Sequence, residues 1–186
     1  MTAVAERKMT VKEFLDIDVE EGYIYELING IVMRRTSPNL IHQEASMMLS
    51  TLLNTFILSK KLGKLYAAPT DVYLNQFDYL VPDLSFVAEG NPAVTKGSLC
   101  IEGVPDLIIE ILSKGTQKND RGDKMAQYEV HGVKEYWIVD PRLKSIEVYA
   151  WREKGYEMVF YAEETGEIRS NVLPDFTMDV VYVFGV

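Results

Sequence analysis

The chain has 186 residues, and its 28 acidic residues outnumber its 19 basic ones, giving a formal net charge of −9. This length suits one domain, predicted over residues 1–186 with its core at about 22–150. The chain has one cysteine and two histidines, which excludes an internal disulfide and a four-ligand zinc site of cysteine and histidine. An apolar fraction of 47% with 25% charged residues excludes wholesale disorder.

The charge is unevenly distributed along the chain. Residues 65–111 carry seven acidic residues and one basic residue, whereas residues 31–64 and 112–124 are net basic. The overall charge argues against a general nucleic-acid coat protein, but the basic segments leave room for a local phosphate-binding groove. The first ten residues lack the apolar run of a signal peptide, and no stretch is apolar enough to cross a bilayer. We therefore expect a cytoplasmic protein without a membrane partner.

The first half of the chain shows one hairpin and one long helix. Thr10 and Glu13 form a capping-box pattern that predicts a short helix from Val11 to Asp16. Asn29-Gly30 predicts a tight hairpin between strands 23–28 and 31–35. Apolar residues at 3–4 spacing then predict an amphipathic helix from residue 41, closed by Gly63.

The second half of the chain predicts mostly strands. The pattern indicates strands at 64–68, 71–75, 80–88 and 104–112, a helix at 118–131, and a hairpin formed by 135–139 and 145–151. Strands before and after a long helix, with a second helix crossing back, predict an α/β (α+β) fold. Its core is a mixed β-sheet flanked by helices, with hairpin additions at the N-terminal and C-terminal ends.

Glu110 stands out because it lies between Ile109 and Ile111 in the most apolar strand of the chain. A buried carboxylate needs a cation, a hydrogen-bond network or a shifted pKa, since burial of an unpaired charge is very costly. The alternative is a carboxylate at the end of the strand that faces solvent or pairs with a lysine or arginine.

Asp83 and Asp106 both follow a Val-Pro pair, so each is a candidate partner for Glu110. Asp106 lies four residues before Glu110, which separates them by about 13 Å in an extended strand. That is too far for two carboxylates that share one hard cation through bonds of about 2–2.6 Å. Asp83 comes from another strand and has no such limit. Its alternative is a solvated acid beside a turn.

Lys124 falls on one helical stripe with Asp120 and Tyr128, at i, i+4 and i+8. From this stripe the lysine could point across the end of the sheet toward Glu110. The alternative is a solvated helix lysine paired with Asp120 or Asp123. The stripe alone leaves both open.

Other catalytic chemistries find little support in the sequence. No serine has an adjacent histidine or the glycines of a nucleophile elbow, and no Gly-rich phosphate loop is present. His42, at the start of the long helix, fits a surface or capping histidine better than a site residue. His131 beside Gly132 fits a helix C-terminus.

Several motifs in order give the chain its family resemblance. They are Tyr25-Glu26-Leu27-Ile28-Asn29-Gly30, Ser37-Pro38, His42, Val81-Pro82-Asp83-Leu84, the stretch 105–113 (PDLIIEILS), Asp120, Lys124, Tyr128 and the stretch 132–140 (GVKEYWIVD). Together they resemble the Uma-two family of restriction-endonuclease-like proteins, within the PD-(D/E)XK nuclease superfamily. The resemblance covers roughly residues 10–180.

The resemblance implies a metal-dependent endonuclease that hydrolyses phosphodiester bonds of DNA with Mg²⁺ or Mn²⁺. Asp83 and Glu110 match the two acids that ligate the metal. The usual superfamily lysine would fall at Leu112, so Lys124 on the next helix matches it instead, with Lys114 as a fallback. Glu26, His42 and Tyr128 are accessory candidates in the same resemblance.

The resemblance also implies DNA as the partner. The excess of acidic residues predicts that DNA is bound weakly or delivered by another protein. We also expect a homodimer. Candidate phosphate contacts come from the two basic segments: Arg34, Arg35, Lys114, Lys118 and Arg121. The alternative function is a non-catalytic nucleic-acid- or protein-binding accessory module that retains a metal site. A plain oligomerisation domain is a third reading, and it predicts no metal binding.

Overall fold

The computed structural model describes residues 7–94 and 97–185. Its helices span Val11–Leu15 (α1), Leu40–Lys60 (α2), Gln117–Arg121 (α3), Asp123–Val130 (α4) and Val181–Phe184 (α5). Its strands span Tyr23–Ile28 (β1), Ile31–Thr36 (β2), Gly63–Ala67 (β3), Val72–Asn75 (β4), Asp78–Leu80 (β5), Leu84–Ala88 (β6), Ile101–Glu102 (β7), Leu107–Ile111 (β8), Glu135–Asp140 (β9), Ser145–Arg152 (β10), Gly155–Glu163 (β11), Glu167–Arg169 (β12) and Thr177–Asp179 (β13).

The strands form two large sheets and one small one. The six-stranded sheet has the order β11-β10-β9-β8-β6-β3, and it is mixed because β8 and β9 run parallel while the other pairs are antiparallel. The five-stranded sheet has the order β2-β1-β5-β4-β7, and β12 pairs with β13. Helices flank a mixed sheet, which confirms the predicted α+β fold class.

The long helix α2 covers one face of the six-stranded sheet. Asn39 caps its start by accepting a hydrogen bond from the backbone N–H of His42 at 3.0 Å. Its buried residues recur three or four positions apart and form one stripe: His42, Ala45, Leu49, Leu53 and Ile57. Most of this stripe joins the main hydrophobic core with alternate residues of the sheet, among them Leu107, Ile109 and Trp137.

The opposite face of the six-stranded sheet packs against α4 and the five-stranded sheet. Ile108 on β8 and Ile138 on β9 face Tyr128 of α4 and Leu80 of β5 in a second core cluster. Because side chains alternate along a strand, Glu110 shares the face of Ile108. The fold therefore directs Glu110 between the sheet and α4.

The predicted end of α2 and the predicted start of β3 are both wrong. Gly63 does not close α2, since Lys61 does so in the left-handed conformation at φ 55°, and Gly63 opens β3. Gly63 adopts φ +147°, and a Cβ there would lie 2.2 Å from the carbonyl oxygen of Val87. The close approach of the neighbouring strand β6 explains the glycine.

The strand predicted at 80–88 is two strands in different sheets. β5 ends at Leu80 and β6 begins at Leu84, and Val81-Pro82-Asp83 carries the chain from one sheet to the other. Pro82 has no N–H to continue a ladder, which helps to end the first strand. The first four residues of β6 are buried on both faces of the sheet. The strand predicted at 104–112 is shorter, at Leu107–Ile111.

The helix predicted at 118–131 is broken into α3 and α4. Gly122, at φ −118° and ψ −99°, leaves helical geometry between them. His131 caps the end of α4, as the sequence suggested. In the part of the chain that the structure describes, no helix is both long and apolar enough to cross a bilayer.

Candidate active site

Glu110 lies at the centre of a buried cluster of charged side chains. Its Oε1 accepts hydrogen bonds from the Lys124 ammonium at 3.0 Å and from the Tyr128 hydroxyl at 2.8 Å. Lys124 and Tyr128 stand one turn apart on α4, so both reach the same strand. Burial raises the pKa of Glu110 well above its usual value, although the Lys124 charge opposes that shift. Glu110 therefore does not face solvent, and the other branch of the alternative, pairing with a lysine, is what the structure shows.

Lys124 joins three carboxylates that come from three different elements. Its Nζ lies 2.8 Å from Oε1 of Glu26 on β1, 3.0 Å from Oε1 of Glu110 on β8, and 3.8 Å from Oδ1 of Asp120 on α3. Burial alone would lower the pKa of Lys124, but the three carboxylates outweigh it and raise the pKa. The ammonium therefore links these elements, and the alternative of a solvated lysine is wrong.

Asp83 lies next to Glu110 because of the strand register. Leu84 pairs with Ile109 across β6 and β8, which places Asp83 beside Glu110 and Ile111. Asp83 Oδ2 accepts a hydrogen bond from the Ile111 N–H at 2.8 Å and lies 3.1 Å from His42 Nε2. Burial raises the pKa of Asp83, but the bonds from His42 and Ile111 outweigh it and hold the pKa below its usual value.

His42 is a member of the cluster and not a surface histidine. It is 5% exposed, and its contact with Asp83 ties the first turn of α2 to the loop before β6. The prediction of a surface or capping role for His42 is wrong, because the start of α2 packs against the sheet. The capping function falls to Asn39 instead.

The β1–β2 hairpin closes the cluster on the side of the five-stranded sheet. Glu26 Oε1 also accepts the Val81 N–H at 2.8 Å, and its Oε2 lies 3.5 Å from Nε of Arg35. Arg35 Nη2 donates to the Val81 carbonyl at 2.8 Å. Burial disfavours the Arg35 charge, yet neighbouring carboxylates outweigh it and raise its pKa. The hairpin thus fixes the segment that leads to Asp83.

The cluster contains more carboxylates than cations. Four carboxylates, those of Glu26, Asp83, Glu110 and Asp120, face the charges of Lys124 and Arg35. Burial is the main reason why the pKa of Asp120 is also raised. Among the described residues, four buried side-chain polar atoms lack a hydrogen-bond partner, and three belong to this cluster: Arg35 Nε, His42 Nδ1 and Asp120 Oδ1.

This donor set fits a hard divalent cation. Carboxylate oxygens are the ligands that Mg²⁺ and Mn²⁺ prefer, and the excess of carboxylates is the charge that such an ion would neutralise. Within residues 7–94 and 97–185, no three His, Cys, Asp or Glu side chains converge to hold a metal by themselves. Mg²⁺ in phosphoryl-transfer sites commonly needs only one or two carboxylates, with water and substrate phosphate completing its shell. Asp83 and Glu110 meet that requirement.

Asp106 is not part of this cluster, in agreement with the argument from strand spacing. Its carboxylate accepts from the Lys134 ammonium at 2.7 Å, from the Ala88 N–H at 2.8 Å and from the Asn91 amide at 2.7 Å. Asp106 is therefore a structural carboxylate.

Leu112, at the usual position of the superfamily lysine, is buried in the second core cluster.

The predicted phosphate contacts divide into a buried residue and four outer ones. Arg35 lies inside the cluster. Lys114, Lys118 and Arg121 line one surface pocket of ≈ 570 Å³ beside α3, which also places the fallback lysine Lys114 outside the cluster. Arg121 is engaged by Glu147 at 2.9 and 2.5 Å.

Arg34, the remaining outer residue, points away from the cluster. It pairs with Glu20 at 3.0 Å, and its guanidinium lies over the Tyr23 ring at 4.6 Å. This placement follows from the alternation of side chains along β2.

The sequence predicts other roles for two members of the cluster. It places Asp120 on the helical stripe of Lys124 and among the residues of the family resemblance, and it names Arg35 as a candidate phosphate contact. The i, i+4, i+8 stripe was the available signal for Asp120. For Arg35 the signal was the hairpin register, because Arg35 pairs with Ile24 and so shares a face with Glu26.

The mixed six-stranded sheet and the carboxylate–lysine cluster beside it define a restriction-endonuclease-like fold. The family model described as "Uma2: Putative restriction endonuclease" matches residues 11–181. The chain therefore belongs to the Uma2 family, which confirms the resemblance found in its motifs.

Two further comparisons cover nearly the whole chain. The "Uncharacterized protein slr1290" of Synechocystis sp. is 25% identical over 181 residues, which cover 94% of this chain and 92% of the relative. A crystal structure of "a putative nuclease belonging to DUF820" from Anabaena variabilis has a TM-score of 0.79 at 19% identity, covering 95% and 97% of the two chains. At that identity the likeness shows the fold.

Proposed function

We propose that this protein is an endonuclease that hydrolyses phosphodiester bonds of DNA with Mg²⁺ or Mn²⁺, acting through one domain of residues 1–186. The observation that carries the proposal is the Lys124 ammonium, bound between Glu26 and Glu110 beside Asp83. Two acids from neighbouring strands with one lysine are the group expected for metal-assisted phosphodiester hydrolysis. The family description and the name of the Anabaena relative support the same class of activity.

The proposed metal ligands are Asp83 and Glu110. A bound divalent cation supplies charge stabilisation at phosphate oxygens and lowers the pKa of a ligated water. Lys124 keeps Glu26, Glu110 and Asp120 close together despite their like charge. His42 and the Ile111 N–H orient Asp83, and Tyr128 orients Glu110. These contacts hold both carboxylates in place before a substrate arrives.

The outer basic residues are proposed to bind the DNA backbone. Lys114 and Lys118 are exposed beside α3, whereas Arg34 and Arg121 are partly neutralised by Glu20 and Glu147. Ion pairs hold two of these four basic residues, and the chain as a whole has a net charge of −9. We therefore expect DNA binding that is weak and salt-sensitive, or that depends on delivery by a partner. The expected homodimer stays a prediction.

A matched pair of variants tests the metal site. Asp83→Ala should abolish the binding of Mn²⁺ measured by calorimetry, whereas Asp106→Ala should retain it. Both aspartates follow a Val-Pro pair and both are buried, but only Asp83 touches the cluster. Equal Mn²⁺ binding by the two variants would remove Asp83 from the site.

A substrate panel separates the nuclease from the binding module. Duplex DNA, single-stranded DNA and RNA are each incubated with the protein and Mn²⁺, and the products are resolved on denaturing gels. Cleavage of duplex DNA that is lost in Glu110→Ala and Lys124→Ala supports the endonuclease. Mn²⁺ binding that depends on Asp83, without cleavage of any nucleic acid, supports the accessory module instead.

A further inference from the structure

Arg35 lies within the carboxylate cluster, while its neighbour Arg34 lies on the opposite face of β2. The Arg35 side chain is 11% exposed, and its Nε lies 3.5 Å from Oε2 of Glu26. Its Nη2 donates to the Val81 carbonyl at 2.8 Å. The Arg34 side chain is 56% exposed and pairs with Glu20. Two adjacent arginines therefore have entirely different surroundings.

Arg35 holds an N–H donor that no acceptor satisfies. Its Nε is buried without a hydrogen-bond partner, and 3.5 Å to Glu26 is longer than an ordinary charge-assisted hydrogen bond. A buried donor on a charged group is costly to leave unpaired, so such a donor calls for an acceptor that is absent from the chain itself. The acceptor must approach the carboxylate cluster, and it must tolerate the negative charge there.

Lys124 is less available than Arg35 to an acceptor from outside the chain. Its Nζ lies 2.8 Å from Glu26 and 3.0 Å from Glu110, while Asp120 at 3.8 Å is beyond hydrogen-bond distance. Two carboxylates thus hold the Lys124 ammonium at close range. Arg35 has a buried Nε–H without an acceptor and a planar guanidinium that matches phosphate oxygens.

We propose that Arg35 is a catalytic residue that binds the scissile phosphate, with its Nε–H donating to a non-bridging phosphate oxygen. This inference rests on the proposed nuclease function. In the reaction, a bond forms between a water oxygen and phosphorus while one P–O ester bond breaks. The water loses a proton to solvent and the leaving oxygen gains one, which yields a phosphate monoester and an alcohol. Arg35 stabilises the charge on the non-bridging oxygens during this exchange.

The test compares Arg35→Gln and Arg35→Lys with the control Arg169→Gln, at an exposed arginine that pairs with Glu167. Three quantities are measured for each protein: the rate of duplex cleavage in Mn²⁺, the affinity for Mn²⁺ alone by calorimetry, and the melting temperature. Arg35→Gln should cleave at least ~100-fold more slowly, the usual loss for one transition-state donor. It should bind Mn²⁺ as tightly as the parent or more tightly, because a positive charge beside the carboxylates is gone. Arg35→Lys keeps that charge and should recover part of the rate, while Arg169→Gln should match the parent.

The outcomes distinguish this inference from the proposed function. An Arg35→Gln protein that cleaves within threefold of the parent overturns the inference and leaves the nuclease in place. Parallel loss of cleavage and of Mn²⁺ binding in both Arg35 variants also overturns it, since Arg35 would then only assemble the metal site. A parent that cleaves no nucleic acid, yet binds Mn²⁺, overturns the nuclease function and the inference together.

Discussion

Lys124 and Glu110 are 14 positions apart in the chain, yet Nζ of the lysine lies 3.0 Å from Oε1 of the glutamate. The strand that carries Glu110 is buried on both faces, and the lysine reaches it from a helix that begins after the break at Gly122. Both side chains are almost fully removed from water. Burying both charges of an ion pair is costly, because both lose their hydration. Buried charged groups with shifted pKa values cluster at functional sites.

Glu110→Gln should stabilise the metal-free protein at neutral and alkaline pH. The pKa of Glu110 is raised in the folded state, so the fold binds that proton more tightly than the unfolded chain does. Stability is therefore highest below the ordinary glutamate pKa of about 4.3 and falls as the pH rises from there toward the raised value. Glutamine avoids this loss while its oxygen still accepts from Lys124 and Tyr128.

Thermal unfolding in a chelator at pH 4, 6 and 8 measures this effect. The variant should melt close to the parent at pH 4 and at a higher temperature than the parent at pH 8. Each 1 kcal/mol of added unfolding free energy raises the melting temperature by about 2–4 °C. The exposed Glu157→Gln serves as control and should follow the parent. Melting curves of Glu110→Gln that parallel the parent at every pH would contradict the raised pKa.

Lys124→Met should destabilise the fold strongly. Methionine keeps the length of the side chain but leaves Glu26, Glu110 and Asp120 without the ammonium. Removal of one partner from a buried ionic group costs about 3–5 kcal/mol. Denaturant unfolding at pH 8 measures the loss, and the exposed Lys118→Met should stay within about 0.5 kcal/mol of the parent. Equal unfolding midpoints for the two variants would show that Lys124 does not hold the cluster together.

Lys118 and Arg121 line the same surface pocket, but they should contribute differently to DNA binding. Lys118 is exposed and free to meet a phosphate, whereas Arg121 is held by Glu147 through two bonds. Lys118→Ala should weaken duplex binding and lower the slope of affinity against salt by about 1. Fluorescence anisotropy in Ca²⁺ over a salt series measures both variants. A larger change in slope for Arg121→Ala would reverse the assignment.

Glu135 should be a strong determinant of stability without a part in the site. It is fully buried, and it accepts from Trp137 Nε1, from Ser170 Oγ and from the Asn171 N–H at 2.7, 2.7 and 2.5 Å. Glu135→Ala leaves three donors unpaired, so it should cost more than Ser59→Ala, which removes one exposed hydrogen bond to the Phe56 carbonyl. Chemical denaturation compares the two, with Mn²⁺ affinity as a control that neither should change. A loss no larger than that of Ser59→Ala would contradict the role of Glu135.

The elements predicted from sequence are those with a strong local signal. The Asn29-Gly30 turn and the 3–4 spacing of α2 fixed both elements to within a residue or two of their observed ends. The errors fall where distant parts of the chain decide. Gly63 is a glycine because β6 approaches its Cα, and residues 81–83 leave the strand because the two sheets diverge there.

The site was predictable in part for the same reason. Glu110 could be found because a carboxylate in an apolar strand violates a local rule. The helical stripe was compatible with a contact between Lys124 and Glu110 but did not decide it. The burial of His42 and Arg35 depends on how α2 and the β1–β2 hairpin pack against the sheet. The sequence names both residues as candidates, through the family resemblance for His42 and the basic segment for Arg35, but their local patterns do not predict that burial.

Cleavage of a covalently closed plasmid tests the central proposal most directly. A single internal cut converts the supercoiled form to the open circular form, so the assay detects an endonuclease even at low turnover. The parent in Mn²⁺ should produce open circular and then linear DNA, while parent with a chelator and Glu110→Ala in Mn²⁺ should leave the plasmid supercoiled. A plasmid that stays intact with the parent, or that Glu110→Ala nicks at the parent's rate, would contradict the assignment of this cluster as a metal-dependent nuclease site.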